Sequence, residues 1–327
     1  MAKQRKTEEV GHPTLFEMGE AEARESKAGD AQDTAEGSSC ATARPYDVGN
    51  FYLGTSSFTA GGWVGTFYPK GLKANEYLTE YAKTFRCVEI DSSFYGTPAV
   101  GTVDAWYRKT PADFLFALKV PKTITHEKVL KDCDAELQEF LGRMELLKEK
   151  LGPLLLQFPW FNKYEFQTGA NFLERLREFL RRLPEGWRGK FAVEIRNRGW
   201  VDEKFLDALR EHNVALAWTD TSFVPKPWEL KKPLDLITAD FAYVRWLGNR
   251  KAIETITTTW EREVVDRTED LKTWVTFLRE MVLDKRLRKI FAFANNHYGG
   301  FAPGTIREFV ELWQERQRKR TWPEEIS

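Results

Sequence analysis

Short apolar runs recur along this chain, each followed by a polar turn and then by a stretch with helical periodicity. The runs are Phe51–Ser56, Cys87–Asp91, Phe114–Lys119, Leu154–Phe158, Phe191–Arg196, Val214–Asp220, Phe241–Trp246 and Ile290–Asn295. Their lengths suit strands rather than helices. Between them, one apolar face recurs at helical spacing in Leu72–Thr84, Val103–Lys109, Ala135–Leu151, Phe172–Leu183, Glu203–His212, Leu271–Asp284 and Thr305–Gln317, which predicts amphipathic helices. The segment between the sixth and seventh runs carries Pro225, Pro227 and Pro233 and is a poorer helix candidate. Strict alternation of strand and helix implies a mainly parallel sheet. Eight repeats predict one α/β domain closed into a (β/α)8 barrel of the TIM type. An open doubly wound sheet is the alternative. No G-x-G-x-x-G follows the first run and no G-x-x-x-x-G-K-[ST] occurs, which weighs against it.

The pattern does not extend to the N-terminus. Residues 1–48 are rich in Ala, Glu, Gly, Ser and Thr and hold 6 Lys/Arg against 10 Asp/Glu. Such a segment buries too little apolar surface to offset its ordering entropy, so it is expected to be a disordered polar tail before a barrel over 49–320. Its one apolar island, Pro13-Thr14-Leu15-Phe16, reads as an accidental cluster or as a short segment that docks a protein partner. The formal net charge is zero, which argues against a protein that coats DNA by bulk charge. No apolar stretch is long enough to cross a membrane, and the first residues lack the apolar core of a secretory signal. Cys40, Cys87 and Cys133 form no metal or redox spacing. A reduced, cytoplasmic setting follows as the expectation.

In a barrel of this kind the βα loops and the C-terminal strand ends carry the chemistry. Ser56, Glu89, Asp91, Lys119, Gln157, Glu194, Arg196, Asp220, Arg245, Asn295 and Asn296 all fall at those ends. Side chains alternate across a strand, so Glu89 shares a face with Asp91, and Glu194 with Arg196, while Val88, Ile90, Val193 and Ile195 face the helices. Buried carboxylates need partners, and Lys119, Arg196 and Arg245 supply them. One reading is a polar layer that plugs the barrel. The other is a carboxylate with a raised pKa that acts as general acid or base, with Glu89 and Glu194 as the pair that glycoside cleavage would require. His126 and His297, in the loops after the third and eighth strands, could transfer protons near neutral pH. No cofactor is signalled, although a Mg2+ or Mn2+ site using Glu89, Glu194 and Asp220 stays open. H-E-x-x-H and G-x-S-x-G are absent, so zinc and a hydrolase triad are not expected.

The same loops carry Trp63, Tyr95, Trp160, Phe161, Trp200, Phe223, Trp228, Trp246 and Tyr298, a density that suits stacking on sugar rings or nucleobases. Lysines and arginines in the loops after the third, sixth and seventh strands favour an anionic ligand. The basic run Arg316–Arg320 instead complements the dipole of the last helix.

Several motifs resemble the domain-of-unknown-function 72 family, the YecE-like proteins. These are Gly54-Thr55-Ser56 with Trp63 and Phe67-Tyr68-Pro69, Val88-Glu89-Ile90 before Ser92-Ser93-Phe94-Tyr95, and Lys119-Val120-Pro121 with His126. Gln157-Phe158-Pro159, Val193-Glu194-Ile195-Arg196 with Trp200, Asp220-Thr221, Ala242-Tyr243-Val244-Arg245 and Asn295-Asn296 complete the set. The resemblance runs from about residue 51 to 312 and implies a (β/α)8 barrel with matched positions, but no reaction. Two positions depart from it. Asp91 stands where the family often has Asn, and Leu247-Gly248 where His-Gly often follows the arginine.

The expected function is acid/base catalysis, hydrolysis or lysis, on an anionic ring-containing ligand such as a sugar phosphate or nucleotide. Glu194, Glu89 and His126 would move protons, Lys119, Arg196 and Arg245 would hold charge, and Trp63, Tyr95 and Trp200 would stack. Ser56, Asp91, Gln157, Asp220, Asn295 and Asn296 would line the ligand site. The alternatives are a protein that binds or processes single-stranded nucleic acid, and a non-catalytic binding scaffold.

Overall fold

A computed structural model describes residues 44–321 apart from 185, 186 and 188, with side chains as far as Glu315. The predicted tail with its Pro13–Phe16 island, and the side chains of Arg316–Arg320, lie outside the described residues.

Eight strands alternate with helices in chain order. β1 (Phe51–Thr55) leads to α1 (Tyr77–Thr84), β2 (Cys87–Ile90) to α2 (Val100–Arg108), and β3 (Leu115–Lys119) to α3 (Asp134–Met144). β4 (Leu151–Gln157) precedes α4 (Gly169–Arg181), β5 (Phe191–Glu194) precedes α5 (Glu203–Arg210), and β6 (Ala215–Thr219) precedes only the short α6 (Pro227–Leu230). β7 (Phe241–Trp246) is followed by α7 (Arg250–Glu254) and α8 (Thr268–Met281). β8 (Lys289–Ala294) is followed by α9 (Asn296–Gly299) and α10 (Ala302–Thr321). The apolar run predicted as one helix over Ala135–Leu151 stops early. Lys148 turns into the left-handed region at φ 51°, and β4 already starts at Leu151. Fitting so short a connection between α3 and β4 takes a sharp reversal that a continuing helix cannot make.

Every ladder is parallel, in the order β1-β8-β7-β6-β5-β4-β3-β2. The ring is nearly closed, and a side chain spans the β1/β2 junction. The Tyr81 hydroxyl, fully buried, accepts from the Thr55 backbone N–H at 2.8 Å and lies 3.2 Å from the Cys87 carbonyl. Gly54 lets β1 come this close, since a Cβ there would sit 2.1 Å from the Cys87 carbonyl oxygen. Tyr81→Phe should therefore lower stability by about 1–3 kcal/mol, because it leaves a buried N–H unpaired. Chemical denaturation measures it, and an unchanged midpoint would show that the junction closes without the hydroxyl.

The strand alternation sorts the core into two layers. Cys87, Ala117, Leu155, Ala192, Ala215, Ala217, Phe241, Tyr243, Phe291 and Phe293 pack together inside the barrel. Val88, Ile90, Phe116, Leu118, Leu154, Leu156, Val193, Leu216, Trp218, Val244 and Trp246 pack outward with the helices. The inner residues of β3, β5 and β6 are largely alanine, whereas β7 and β8 contribute aromatic rings. Small side chains on one wall make room for long ones crossing from the other, which is how a narrow barrel fills its interior.

Candidate functional site

Continuing the inward phase by two residues sets the floor of the C-terminal mouth. Glu89 follows Cys87, Lys119 follows Ala117, Gln157 follows Leu155, Glu194 follows Ala192 and Arg245 follows Tyr243. By the same phase β8 presents Asn295 and β1 presents Ser56. On β6 the inward position belongs to Thr219, so Asp220 falls in the outward phase.

Arg245 is the centre of this floor. Its Nη2 donates to Glu89 Oε1 at 2.7 Å, and its Nη1 donates to Glu194 Oε2 at 2.5 Å. Tyr243, one inward step below on β7, donates its hydroxyl to Glu89 Oε2 at 2.6 Å. Arg196 closes the other side, its Nε donating to Glu194 Oε1 at 3.1 Å. Lys119 Nζ lies 3.0 Å from Asp91 Oδ1, which is also 3.7 Å from Arg245 Nη2. Glu89, Glu194, Tyr243 and Arg245 are all at most 2% exposed, and Asp91, Lys119 and Arg196 form the part that solvent reaches. Three carboxylates thus meet three cations, as a buried layer requires.

The titration behaviour follows from this pairing. Burial alone would raise the Glu194 carboxyl, but Arg245, Arg196 and Lys119 outweigh it and hold the group below the ordinary carboxylate range. Burial likewise pushes the Tyr243 phenol up, so it stays a neutral donor to Glu89. Asp220 behaves in the opposite way, its carboxyl lifted by burial. Its Oδ1 accepts from the backbone N–H groups of Leu247 at 2.9 Å and Gly248 at 3.4 Å. Asp220 therefore ties the end of β6 to the loop after β7. Gly248 allows the approach of α9 there: it sits at φ +66°, and a Cβ would meet the His297 carbonyl oxygen at 2.3 Å.

Two histidines flank the floor. His126 rides on a π-helical turn, Thr123–Glu127, which is followed by Val129, Leu130 and Asp132 at φ 46°, 65° and 49°. Left-handed conformation is costly for a β-branched or bulky residue and persists only where surroundings impose it. Here the buried Leu130 side chain, its N–H bonded to the Ile124 carbonyl at 2.8 Å, and Arg182 on the Leu130 carbonyl at 3.0 Å impose it. The imidazole stands edge-on to Phe94 at 4.9 Å, with Nδ1 2.9 Å from Thr125 Oγ1. Burial first, then Arg196 and Lys119, bring its pKa down to about 4. His297 is held differently. Its Nδ1 lies 2.5 Å from Asn295 Oδ1 and its Nε2 3.3 Å from Glu254 Oε1, and burial with Arg250 keeps it below its ordinary value.

The remaining expected residues separate into rim, wall and anchor. Tyr95 is 63% exposed and Trp160 58%, and Phe223, also exposed, has the Arg196 guanidinium 5.4 Å from its ring centre. Trp63, at 1% exposure, packs against Phe67 and Tyr68 in the core and is not available for stacking on a ligand. Trp200 lies on Phe172 at 5.4 Å and forms part of a wall. Gln157 is buried and donates to the Phe158 carbonyl, Asn295 caps α9, and Asn296 accepts from the Ala302 N–H. Ser56 is buried with its hydroxyl unpartnered. Glu89, Glu194 and Asp220 are not brought together as a metal triad: the first two share Arg245, while Asp220 faces the β7 loop. Among the described residues no group of three or more His, Cys, Asp or Glu could hold a metal ion.

Two residues of this region are given no role by the sequence reading, although Tyr243 lies within one of its matched motifs. Tyr243 is legible in hindsight from its two-residue spacing to Arg245. Asn197 has no such signal. It clamps the β4 and β5 loops by accepting from the Phe161 N–H at 2.8 Å and donating to the Phe161 carbonyl at 2.7 Å.

Comparison with known proteins agrees with this architecture. The UPF0759 protein YecE of Escherichia coli (strain K12) is 37% identical over 120 residues, which is 37% of this chain and only 41% of the length of YecE. The UPF0759 protein YunF of Bacillus subtilis (strain 168) is 26% identical over 283 residues, 80% of this chain and 94% of YunF. The crystal structure of a DUF72 family protein from Thermotoga maritima MSB8 superposes with a TM-score of 0.61 at 28% identity, covering 82% of this chain and 99% of that one. The family described as protein of unknown function DUF72 matches residues 52–326, from the first strand of the barrel through its last helix. Barrel, strand-end network and family match coincide over the same residues, and the chain belongs to the DUF72 family.

Proposed function

We propose that the barrel is an enzyme that transfers a proton on an anionic, ring-bearing ligand at its C-terminal mouth. The observation that carries this reading is the strained turn that presents a neutral imidazole beside two cations. Irregular π-turns and left-handed residues are costly, and such costs concentrate at functional sites. With its proton on Nδ1 toward Thr125, His126 turns Nε2 to proton exchange at the mouth. Lys119 and Arg196 hold the negative charge, and Tyr95, Trp160 and Phe223 offer ring faces. Glu89 and Glu194 orient Arg245 and Arg196 instead of exchanging protons, because their oxygens are already committed to these two cations and to the Tyr243 hydroxyl. A sugar phosphate or nucleotide fits this chemistry, and the expected cytoplasmic setting supplies both.

A thermal-shift screen tests it, with sugars, sugar phosphates, nucleotides and short single strands. A ligand of the folded state at a hundred times its Kd adds about 2.7 kcal/mol. Stabilisation by anionic members but not by neutral sugars supports the proposal, and stabilisation by neutral sugars alone overturns it. The exposed Tyr95, Trp160 and Phe223 favour a second reading, a single-stranded nucleic acid lying across the rim. Binding to oligonucleotides but not to mononucleotides, weakening steeply with salt, would select that reading.

A further inference from the structure

The mouth is charge-balanced before any ligand arrives. Arg245 serves Glu89 and Glu194, Arg196 shares Glu194, and Lys119 is paired with Asp91 at 3.0 Å. An anion that enters such a partly buried layer adds uncompensated charge, and low dielectric makes that expensive. A proton can offset part of that charge, and the candidate to take it is a group that can become positive in place.

His126 is that group. It touches the Phe94 ring edge-on at 4.9 Å, and Lys119 Nζ lies 5.4 Å from the centre of the same ring. The charged groups acting on it are Lys119 from β3, Arg196 and Glu194 from β5 and the turn after it, and Glu127 from its own turn. Glu127 is itself paired with Lys122 at 3.0 Å. Burial first, and then the two mouth cations, keep the imidazole neutral, so an anion seated on the cations lifts the part of the obstacle that they supply. We propose that a doubly charged oxyanion, as in a phosphate monoester, binds between Lys119 and Arg196 together with one proton, which is taken up by His126. Anion binding thereby loads the imidazolium that can serve as general acid toward the ligand, and the substrate class is a phosphate-type dianion. The inference rests on the proposed anion site and adds the proton to it.

Linkage makes the coupling measurable. The free imidazole titrates at about 4, so between that value and the higher pKa of the anion-bound state, affinity rises by up to about tenfold for each pH unit lowered. Inorganic sulfate is the probe, since it stays a dianion over this range and any proton taken up belongs to the protein. Isothermal titration of the full chain near pH 5, in two buffers of different ionisation enthalpy, gives the number of protons bound per sulfate. The expected result is close to one for the wild type and close to zero for His126→Gln, which still binds sulfate more weakly. Sulfate binding without proton uptake overturns the coupling and leaves the anion site standing. Uptake that persists in His126→Gln assigns the proton elsewhere and overturns it as well. No sulfate binding to the wild type overturns both this inference and the anion site beneath it.

Discussion

Arg245→Met should cost about 3–5 kcal/mol of stability at neutral pH, the range expected when one partner of a buried ion pair is removed. The guanidinium is 2% exposed and bonds Glu89 at 2.7 Å and Glu194 at 2.5 Å, carboxylates that are themselves 0% and 1% exposed. Met fills similar volume but leaves both carboxylates short of a cation inside the barrel. The loss should depend on pH with a definite sign. In the wild type the Glu194 pKa is depressed, so its contribution is present above the unfolded carboxylate value and is lost as pH falls through the folded one. In the variant, acidification instead relieves the site, because a protonated carboxyl tolerates burial. The wild-type advantage should therefore shrink from pH 7 toward pH 4, as urea denaturation at both pH values will show. A pH-independent difference would mean that Arg245 acts through packing alone.

The largest effect on activity is expected at His126. On a substrate identified by the ligand screen, His126→Gln should lower kcat by about 100- to 10,000-fold, the contribution typical of a positioned acid or base. The turn's strain is held by Leu130 and Arg182, so the fold should be retained. Glu194→Gln separates the two roles in the mouth. If Glu194 positions cations, the substitution should disturb Arg196 and Arg245 and raise KM more than it lowers kcat. A kcat loss as large as that of His126→Gln, with KM unchanged, would return the proton to the carboxylate.

The strands were legible because their interior faces obey a two-residue period. All eight apolar runs became strands, and β7 matches at both ends. The same period placed Glu89, Glu194 and Arg245 inside the mouth. The strand end misled at Asp220: the expected run extends one residue beyond the ladder, and the period there turns the side chain outward, toward Leu247 and Gly248. Loop residues were harder to read. Trp63 and Tyr95 look alike as loop aromatics, yet one is a core anchor and the other is exposed, which depends on how the loop folds back on α1. The Tyr81 junction depends on a hydroxyl reaching a strand more than 20 positions away in sequence, at Thr55, and no local pattern announces it. A raised carboxyl was one expectation for the mouth, with Glu89 and Glu194 as the pair, but at Glu194 three cations acting together outweigh burial.

The central claim is that the mouth cations add to burial in holding His126 neutral, and a histidine NMR titration tests it most directly. The His126 signal is assigned by its absence in His126→Gln and followed in wild type and Arg196→Met. The account predicts a midpoint near pH 4 in the wild type and a clear upward move when Arg196 is removed. A wild-type midpoint at the ordinary imidazole value, unchanged in Arg196→Met, would show that Lys119 and Arg196 do not govern His126.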